Sequence, residues 1–443
     1  MPTNVILVHG YSVRSLDAYG MLPQLLQNDG YNAQSVYLSA YDSLNNDITC
    51  DDLALALEAR IRGLETSGLD LSASAVIAHS TGAIVVRRWL LNRWAPGAKL
   101  PSHFVSLAGA NHGSTLAQLG ETQLAYVFRA VDGGTSVGLE VLQDLDYGSL
   151  YLLKLNEDWL DAHLAPSPPA TLSFSLIGDD HSALMNQIFW QSHENGSDGT
   201  VRISAGNLNY RFLAIDQTAK NPALAVKKLN QAVPHLVLSG VSHTGDNGIL
   251  GGNPRTMTTV YPHIKEALSV AHAADYQALA ANWQNLTGAW NAAHPDDCNA
   301  TVVFSLKHPG GRSVADSLIL IKDDDPSNAQ SIMNVGSSME PRQPIQNATT
   351  PSSVSFYVNY ANFIATYPHT IEIQVNSGCA EISYPAAIYT VLADQTGSVR
   401  PNEFIYVKVT LDRQSVGAYE VIPVSQNPDV HQTWPPLPQP QGP

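Results

Sequence analysis

The stretch that most constrains this chain is Val76-Ile77-Ala78-His79-Ser80-Thr81-Gly82. An apolar run from Ala73 to Ala78 ends in a serine flanked by small residues. Helical spacing begins at once, with Ile84, Val85, Val86, Trp89, Leu90 and Leu91. The pattern predicts a strand, a sharp turn and a helix, with Ser80 at the turn. Such a turn lifts a hydroxyl clear of the sheet and aims the helix N-terminus at whatever the hydroxyl attacks. The pentapeptide reads A-x-S-x-G, and Ala78 is still small enough for a close strand–helix approach. By itself the stretch fits equally well a plain turn in which Ser80 only caps a helix.

The surrounding chain supplies the context. Val5 to Val8 is a continuous apolar run, as in a buried parallel strand. His9-Gly10-Tyr11-Ser12 follows, then an amphipathic helix near Leu16 to Gln27. A strand is expected from Ala33 to Leu38, a helix from Asp51 to Leu64 and a strand from Phe104 to Ala108. Asp51 and Asp52 suit the positive end of their helix. Leu172 to Ile177 and Leu236 to Ser239 read as further strands, and Tyr261 to Ala274 as a closing helix. Strands alternating with helices at this spacing predict a doubly wound, mostly parallel sheet. Ligands of such sheets bind beyond the carboxyl ends of the strands, where both His9-Gly10 and Ser80 fall.

Residues 115–170 interrupt the alternation and are a candidate cap over that edge. A helical excursion packed elsewhere fits them equally. After Trp290 the character changes. A polar segment, Asn291 to Asn299, leads into short alternating runs: Thr301–Leu306, Ser317–Lys322, Ser353–Tyr360, Thr370–Val375, Ile382–Leu392, Glu403–Leu411 and Tyr419–Val424. The chain therefore divides into an α/β region, 1–290, an all-β region of sandwich type, 300–426, and a Pro/Gln-rich tail, 427–443.

Composition narrows the function. The formal net charge of −16 is opposite to a nucleic-acid footprint, so no nucleic-acid partner is expected. It offers no attraction to anionic membranes, so any membrane contact has to be local and apolar. No run of about 18 apolar residues exists, and no signal peptide is read at the N-terminus. A cytoplasmic or peripherally membrane-associated protein is expected. Cys50, Cys298 and Cys379 form neither a disulfide framework nor a metal motif, and reduced thiols are expected.

A serine nucleophile needs a base, and the base needs an orienting acid. His243 follows the last strand of the α/β region and so lies on the same sheet edge as Ser80. His263 falls within a helix, His181 follows the preceding strand, and the turn is expected to point His79 elsewhere. For the acid, Asp179, Asp180, Asp198 and Asp216 compete on even terms. Asp179 and Asp180 directly follow a strand, and Asp198 sits in a turn, Asn195 to Gly199. Donors for a developing oxyanion are expected from the backbone N–H groups of Thr81 and Tyr11, with Gly10 permitting close approach.

Five segments together carry a resemblance: Val8-His9-Gly10, Ala78 to Gly82, Gly109-Ala110-Asn111-His112-Gly113-Ser114, Ser197-Asp198-Gly199-Thr200-Val201 and Ser242-His243. They resemble the α/β-hydrolase lipases. The H-S-T-G turn, the S-D-G-T-V-R loop and the added β region are similar to the bacterial PlaB-type phospholipases A. The resemblance implies Ser80 as nucleophile, His243 as base and Asp198 as acid, without a cofactor or metal. It implies hydrolysis of acyl esters in phospholipids and lysophospholipids, and peripheral membrane contact without a signal peptide. It also implies homo-oligomers formed through the C-terminal region. A triacylglycerol lipase or carboxylesterase on the same residues is the neighbouring reading, and a non-catalytic binding protein on this fold the distant one. The aromatic residues of the β region, such as Phe356, Tyr357, Phe404 and Tyr406, read as core. That region is expected to serve assembly and support first and membrane docking second.

Overall fold

The computed structural model describes residues 1–11, 13, 16–36, 45–115, 117, 138–181, 194–219, 224–323, 344–365, 369–377, 382–385, 387–391 and 399–415. The expected strand Tyr419–Val424, the tail and Cys379 lie outside the described residues.

The first five strands are β1 (Asn4–Val8), β2 (Asn32–Val36), β3 (Ser74–His79), β4 (His103–Leu107) and β5 (Leu172–Gly178). The chain then departs through β6 (Tyr210–Asp216) and β7 (Leu224–Lys228) before returning as β8 (His235–Leu238). The first sheet has the order β2-β1-β3-β4-β5-β8, with every pairing parallel. Strand order reverses between β1 and β3, so the loops after these two strands open onto one crevice.

Helices α1 (Leu22–Asn28), α2 (Cys50–Thr66), α3 (Thr81–Arg93), α4 (Leu139–Leu145), α5 (Leu150–Leu164), α6 (Ile203–Gly206), α7 (Pro254–Ser269) and α8 (Ala273–Ala293) complete the α/β region. β1 shows why both sheet faces are covered. Ile6 and Val8 pack with α2, α3 and α5, while Val5 and Leu7 pack with α1, α7 and α8. All four are essentially buried, at roughly 1.5–3 kcal/mol for each side chain. The start of α2 is fixed by a capping box between Thr49 and Asp52.

Several expected elements are subdivided. The helix expected from Leu16 to Gln27 is a 3₁₀ turn, Leu16–Tyr19, followed by α1, whose first turn carries Pro23. The helix expected from Tyr261 to Ala274 is two, α7 and α8, because Val270 leaves helical geometry. Within the segment 115–170, α5 is the crossover helix between β4 and β5. Its Trp159 meets Phe104 of β4 edge-on at 6.3 Å.

The C-terminal region forms two further layers. Its strands are β9 (Asn299–Lys307), β10 (Ser317–Asp323), β11 (Ile345–Gln346), β12 (Ser353–Asn359), β13 (His369–Val375), β14 (Ile382–Ser383), β15 (Ala387–Val391), β16 (Phe404–Thr410) and β17 (Gln414–Ser415). β14 and β15 divide the single strand expected from Ile382 to Leu392 at Pro385. The second sheet runs β11-β12-β9-β16-β6-β7 and the third β10-β13-β15. Phe304, Phe356 and Ile405 of the second sheet pack with Ile319 and Ile373 of the third, as in a sandwich. The opposite face of the second sheet presents Tyr210, Phe212, Val303, Phe404 and Tyr406 to the core of the α/β region.

The second sheet is thus common to both regions. β6 and β7 fall within residues 1–290, yet β6 pairs in parallel with β16 across nearly two hundred residues of chain. The fold is an α/β-hydrolase with a C-terminal β domain built onto it.

Candidate active site

Ser80 stands between β3 and α3 at φ 55° and ψ −128°. A non-glycine residue held there costs about 1–3 kcal/mol, which the surroundings must offset. The restraint comes from β4. Ser80 N–H donates to Leu107 O at 3.1 Å, and Ala110 N–H donates to Ser80 O at 3.2 Å. Two glycines permit the crowding. A Cβ on Gly10 would lie 2.6 Å from Ser80 Cβ, and one on Gly82 would lie 2.5 Å from His9 O.

Ser80, His243 and Asp198 are brought together in a row. Ser80 Oγ is 2.9 Å from His243 Nε2, and His243 Nδ1 is 2.8 Å from Asp198 Oδ2. The other carboxylate oxygen accepts from the Thr200 and Val201 N–H groups at 3.0 and 2.8 Å. His243 N–H donates to Asp198 O at 3.0 Å, tying the two loops at the backbone as well. All three side chains are at least nine-tenths buried.

The competing acids are engaged elsewhere. Asp179 accepts from Gly240 N–H and Trp290 Nε1–H, each at 2.7 Å. Asp180 accepts from Asn247 at 3.2 Å, and Asp216 from Thr218. Among the histidines, His263 pairs with Glu266 on α7. His79 is not directed away, as the turn suggested. Its ring lies 4.8 Å from that of His243, with Nε2 3.2 Å from His243 O. Burial, then the neighbouring His243, holds its pKa well below the usual histidine range, so it stays neutral.

Around Ser80 lies a cleft of about 470 Å³. Tyr11 and Thr81 line it beside Ser80, His79 and His243. Val13, Leu142, Leu145 and Leu250 supply apolar wall, so α4 of the inserted segment borders the cleft. Thr81 lines the cleft and opens α3, where the first backbone N–H groups have no acceptor within the helix.

The Gly109–Ser114 loop supports the far side of this cleft. Asn111 Nδ2 donates to Gly206 O at 2.9 Å, and His112 N–H donates to Ala205 O at 3.1 Å. Ser114 Oγ donates to Thr200 O at 2.7 Å. Sequence reasoning gave no role to Arg202, Tyr147 and Tyr357. Arg202 is fully buried, with its guanidinium 4.3 Å from the Tyr147 ring and 4.1 Å from the Tyr357 ring. Nε and Nη2 donate to Glu194, each at 2.8 Å. Burial would lower this pKa, but Glu194 and the tyrosines outweigh it and hold it above the usual arginine value. The signal for Arg202 was its place beside the S-D-G-T-V run; nothing local marks the tyrosines.

Fold and site together define an α/β-hydrolase architecture with serine, histidine and aspartate aligned at its carboxyl edge. The sequence matches no protein-family model and no curated protein sequence. Among solved structures it is similar to "Phospholipase PlaB from Legionella pneumophila", at TM-score 0.82 and 25% identity over 95% of this chain and 96% of that one. The same protein in complex with thio-NAD matches at TM-score 0.81, 24% identity, 94% and 96%. Among the described residues, no helix is long and apolar enough to cross a membrane.

Proposed function

We propose that this chain is a serine acyl-ester hydrolase that releases fatty acids from glycerophospholipids and lysophospholipids. The observation that carries the hydrolase reading is the hydrogen-bonded row Ser80–His243–Asp198 at the floor of a largely apolar cleft. The similarity to the PlaB structure over nearly the whole of both chains supports the lipolytic class and the choice of phospholipid.

In this reading Ser80 Oγ attacks the ester carbonyl carbon while His243 Nε2 takes its proton. The oxyanion is met by the Thr81 N–H at the start of α3 and by the Tyr11 N–H after Gly10. Asp198 accepts from Nδ1–H, which fixes the tautomer and stabilises the imidazolium. The imidazolium gives its proton to the leaving glycerol oxygen as the carbon–oxygen bond breaks, leaving an acyl-serine. Water, deprotonated by His243, then releases the fatty acid and restores Ser80. Leu142, Leu145, Leu250 and Val13 offer the acyl chain an apolar wall. Peripheral contact with a lipid surface and self-association through the C-terminal region belong to the same proposal.

The test is a panel of phosphatidylcholine, phosphatidylglycerol, their lyso forms, triacylglycerol and p-nitrophenyl esters, with products resolved by mass. The proposal expects free fatty acid from the phospholipids and a loss of roughly 10³-fold or more in the Ser80→Ala protein. Turnover confined to triacylglycerol or short esters would replace phospholipase with lipase or esterase. Undiminished phospholipid turnover by Ser80→Ala would remove Ser80 from the chemistry.

A further inference from the structure

Asp198 lies in a loop that leads into α6, and the Asn195–Gly196 backbone just before it is gripped by side chains from the C-terminal region. The Asn195 carbonyl accepts two side-chain hydrogen bonds. One is from the Tyr357 hydroxyl of β12 at 2.6 Å, the other from Asn299 Nδ2 of β9 at 2.8 Å. The Tyr357 hydroxyl also lies 3.0 Å from Gly196 O, a carbonyl that accepts from Ile203 N–H at 2.9 Å. The phenol ring carries a second contact, since its face covers the Arg202 guanidinium that is paired to Glu194. One side chain from the second sheet therefore touches the loop on both flanks of Asp198. Glu194 is further fixed by Thr115 Oγ1 at 3.1 Å.

The geometry points to Tyr357 and Asn299 as positioning residues for Asp198: they anchor the Asn195–Gly196 backbone, and through it the carboxylate that faces His243. This rests on the hydrolase reading above. Neither residue reaches the cleft, so neither is a catalytic residue. Their effect runs through the direction of one carboxylate. A misplacement of about an ångström at such a group costs up to 10²-fold in rate. It also gives the C-terminal region a part in the site itself, because removing β9 and β12 removes both anchors.

Two single substitutions test this in the full chain, Tyr357→Phe and Asn299→Ala. Tyr357→Phe keeps the ring over Arg202 and deletes only the hydroxyl. Each variant is expected to lower kcat and the rate of fluorophosphonate labelling by about 5- to 20-fold, with KM within twofold and the thermal unfolding midpoint nearly unchanged. A role confined to stability does not move the decisive readout, which is a double-mutant cycle with Asp198→Asn. In the Asp198→Asn background the same substitutions are expected to change the labelling rate by less than twofold, because the carboxylate they aim is gone. Equal losses in both backgrounds, or no loss in the native background, would overturn the positioning role alone. Absence of labelling in the native protein would instead overturn the hydrolase reading and this inference with it. Should Asn299→Ala fail to fold, Tyr357→Phe decides by itself.

Discussion

Two loops meet at His243, and apart from a shared support in the Gly109–Ser114 loop they are held by different parts of the molecule. The Ser80 turn is fixed by neighbours in the first sheet: the β1 loop at Gly10, the β4 end at Leu107 and Ala110, and the first turn of α3. The Asp198 loop is fixed from three directions. The Gly109–Ser114 loop grips Thr200 and α6, Tyr147 and Glu194 hold Arg202, and Tyr357 and Asn299 hold Asn195. The proposed nucleophile is thus a product of local backbone geometry, whereas the proposed acid is placed by tertiary contacts that span both regions. A nucleophile built locally is expected to survive disturbance of the C-terminal region better than an acid placed from it.

The largest effects belong to the row itself. Ser80→Ala and Asp198→Asn are both expected to cripple ester hydrolysis, by roughly 10³-fold or more for the serine and 10²–10⁴-fold for the acid. Steady-state kinetics on one phospholipid and one p-nitrophenyl ester would show it. An Asp198→Asn protein with full activity would return the acid to the Asp179 or Asp180 loop.

Next in size is the support of the acid loop. Glu194→Gln leaves Arg202 charged, fully buried and without its carboxylate. Breaking such a pair costs about 3–5 kcal/mol, and urea unfolding is expected to show a loss of that order. A change under about 1 kcal/mol would mean that the tyrosines alone compensate Arg202. By comparison, Tyr357→Phe is expected to leave stability nearly intact and to act on rate.

Smaller again for any single group is a weakness to acid that both sides share. His79 behind the Ser80 turn, His112 at the second sheet and His235 on β8 are all buried. Burial, then the field of Arg87, holds the His112 pKa well below the usual range, and burial pushes His235 down to about 3. Each is neutral in the folded protein but gains a proton in the unfolded chain below about pH 6.5. Stability is therefore complete above that pH and declines as pH falls, by up to about 1.4 kcal/mol per pH unit for each histidine. Denaturant unfolding at pH 7, 6 and 5 checks the sign. A stability that rose towards pH 5 would show that these rings are charged in the fold.

The same contrast explains what the sequence revealed. The Ser80 turn was legible because its signal is contiguous: an apolar strand, a serine and a helical period within about twenty residues. The alternation of strands and helices made the first sheet legible for the same reason. Four aspartates followed strands or turns, and residue-level reasoning could not rank them. What separates them is tertiary, such as Trp290 and Gly240 occupying Asp179. β6 was missed because its partner β16 lies far along the chain, and β7 because it pairs only with β6. The first half of β6 is also buried on both faces, Tyr210 and Phe212 on one and Leu213 on the other, so it lacks there the polar alternation of a half-exposed strand. Tyr357 was read correctly as buried, but nothing in its neighbourhood announced that its hydroxyl reaches across to Asn195.

Whether Ser80 is the activated nucleophile is decided most directly by covalent labelling. The native protein is incubated with a fluorophosphonate, weighed intact and digested for peptide mapping. A single covalent adduct is expected on the peptide containing Ser80, formed much more slowly in His243→Ala and Asp198→Asn and absent in Ser80→Ala. An unmodified protein, an adduct at another serine, or labelling of Ser80 that ignores His243 would contradict it.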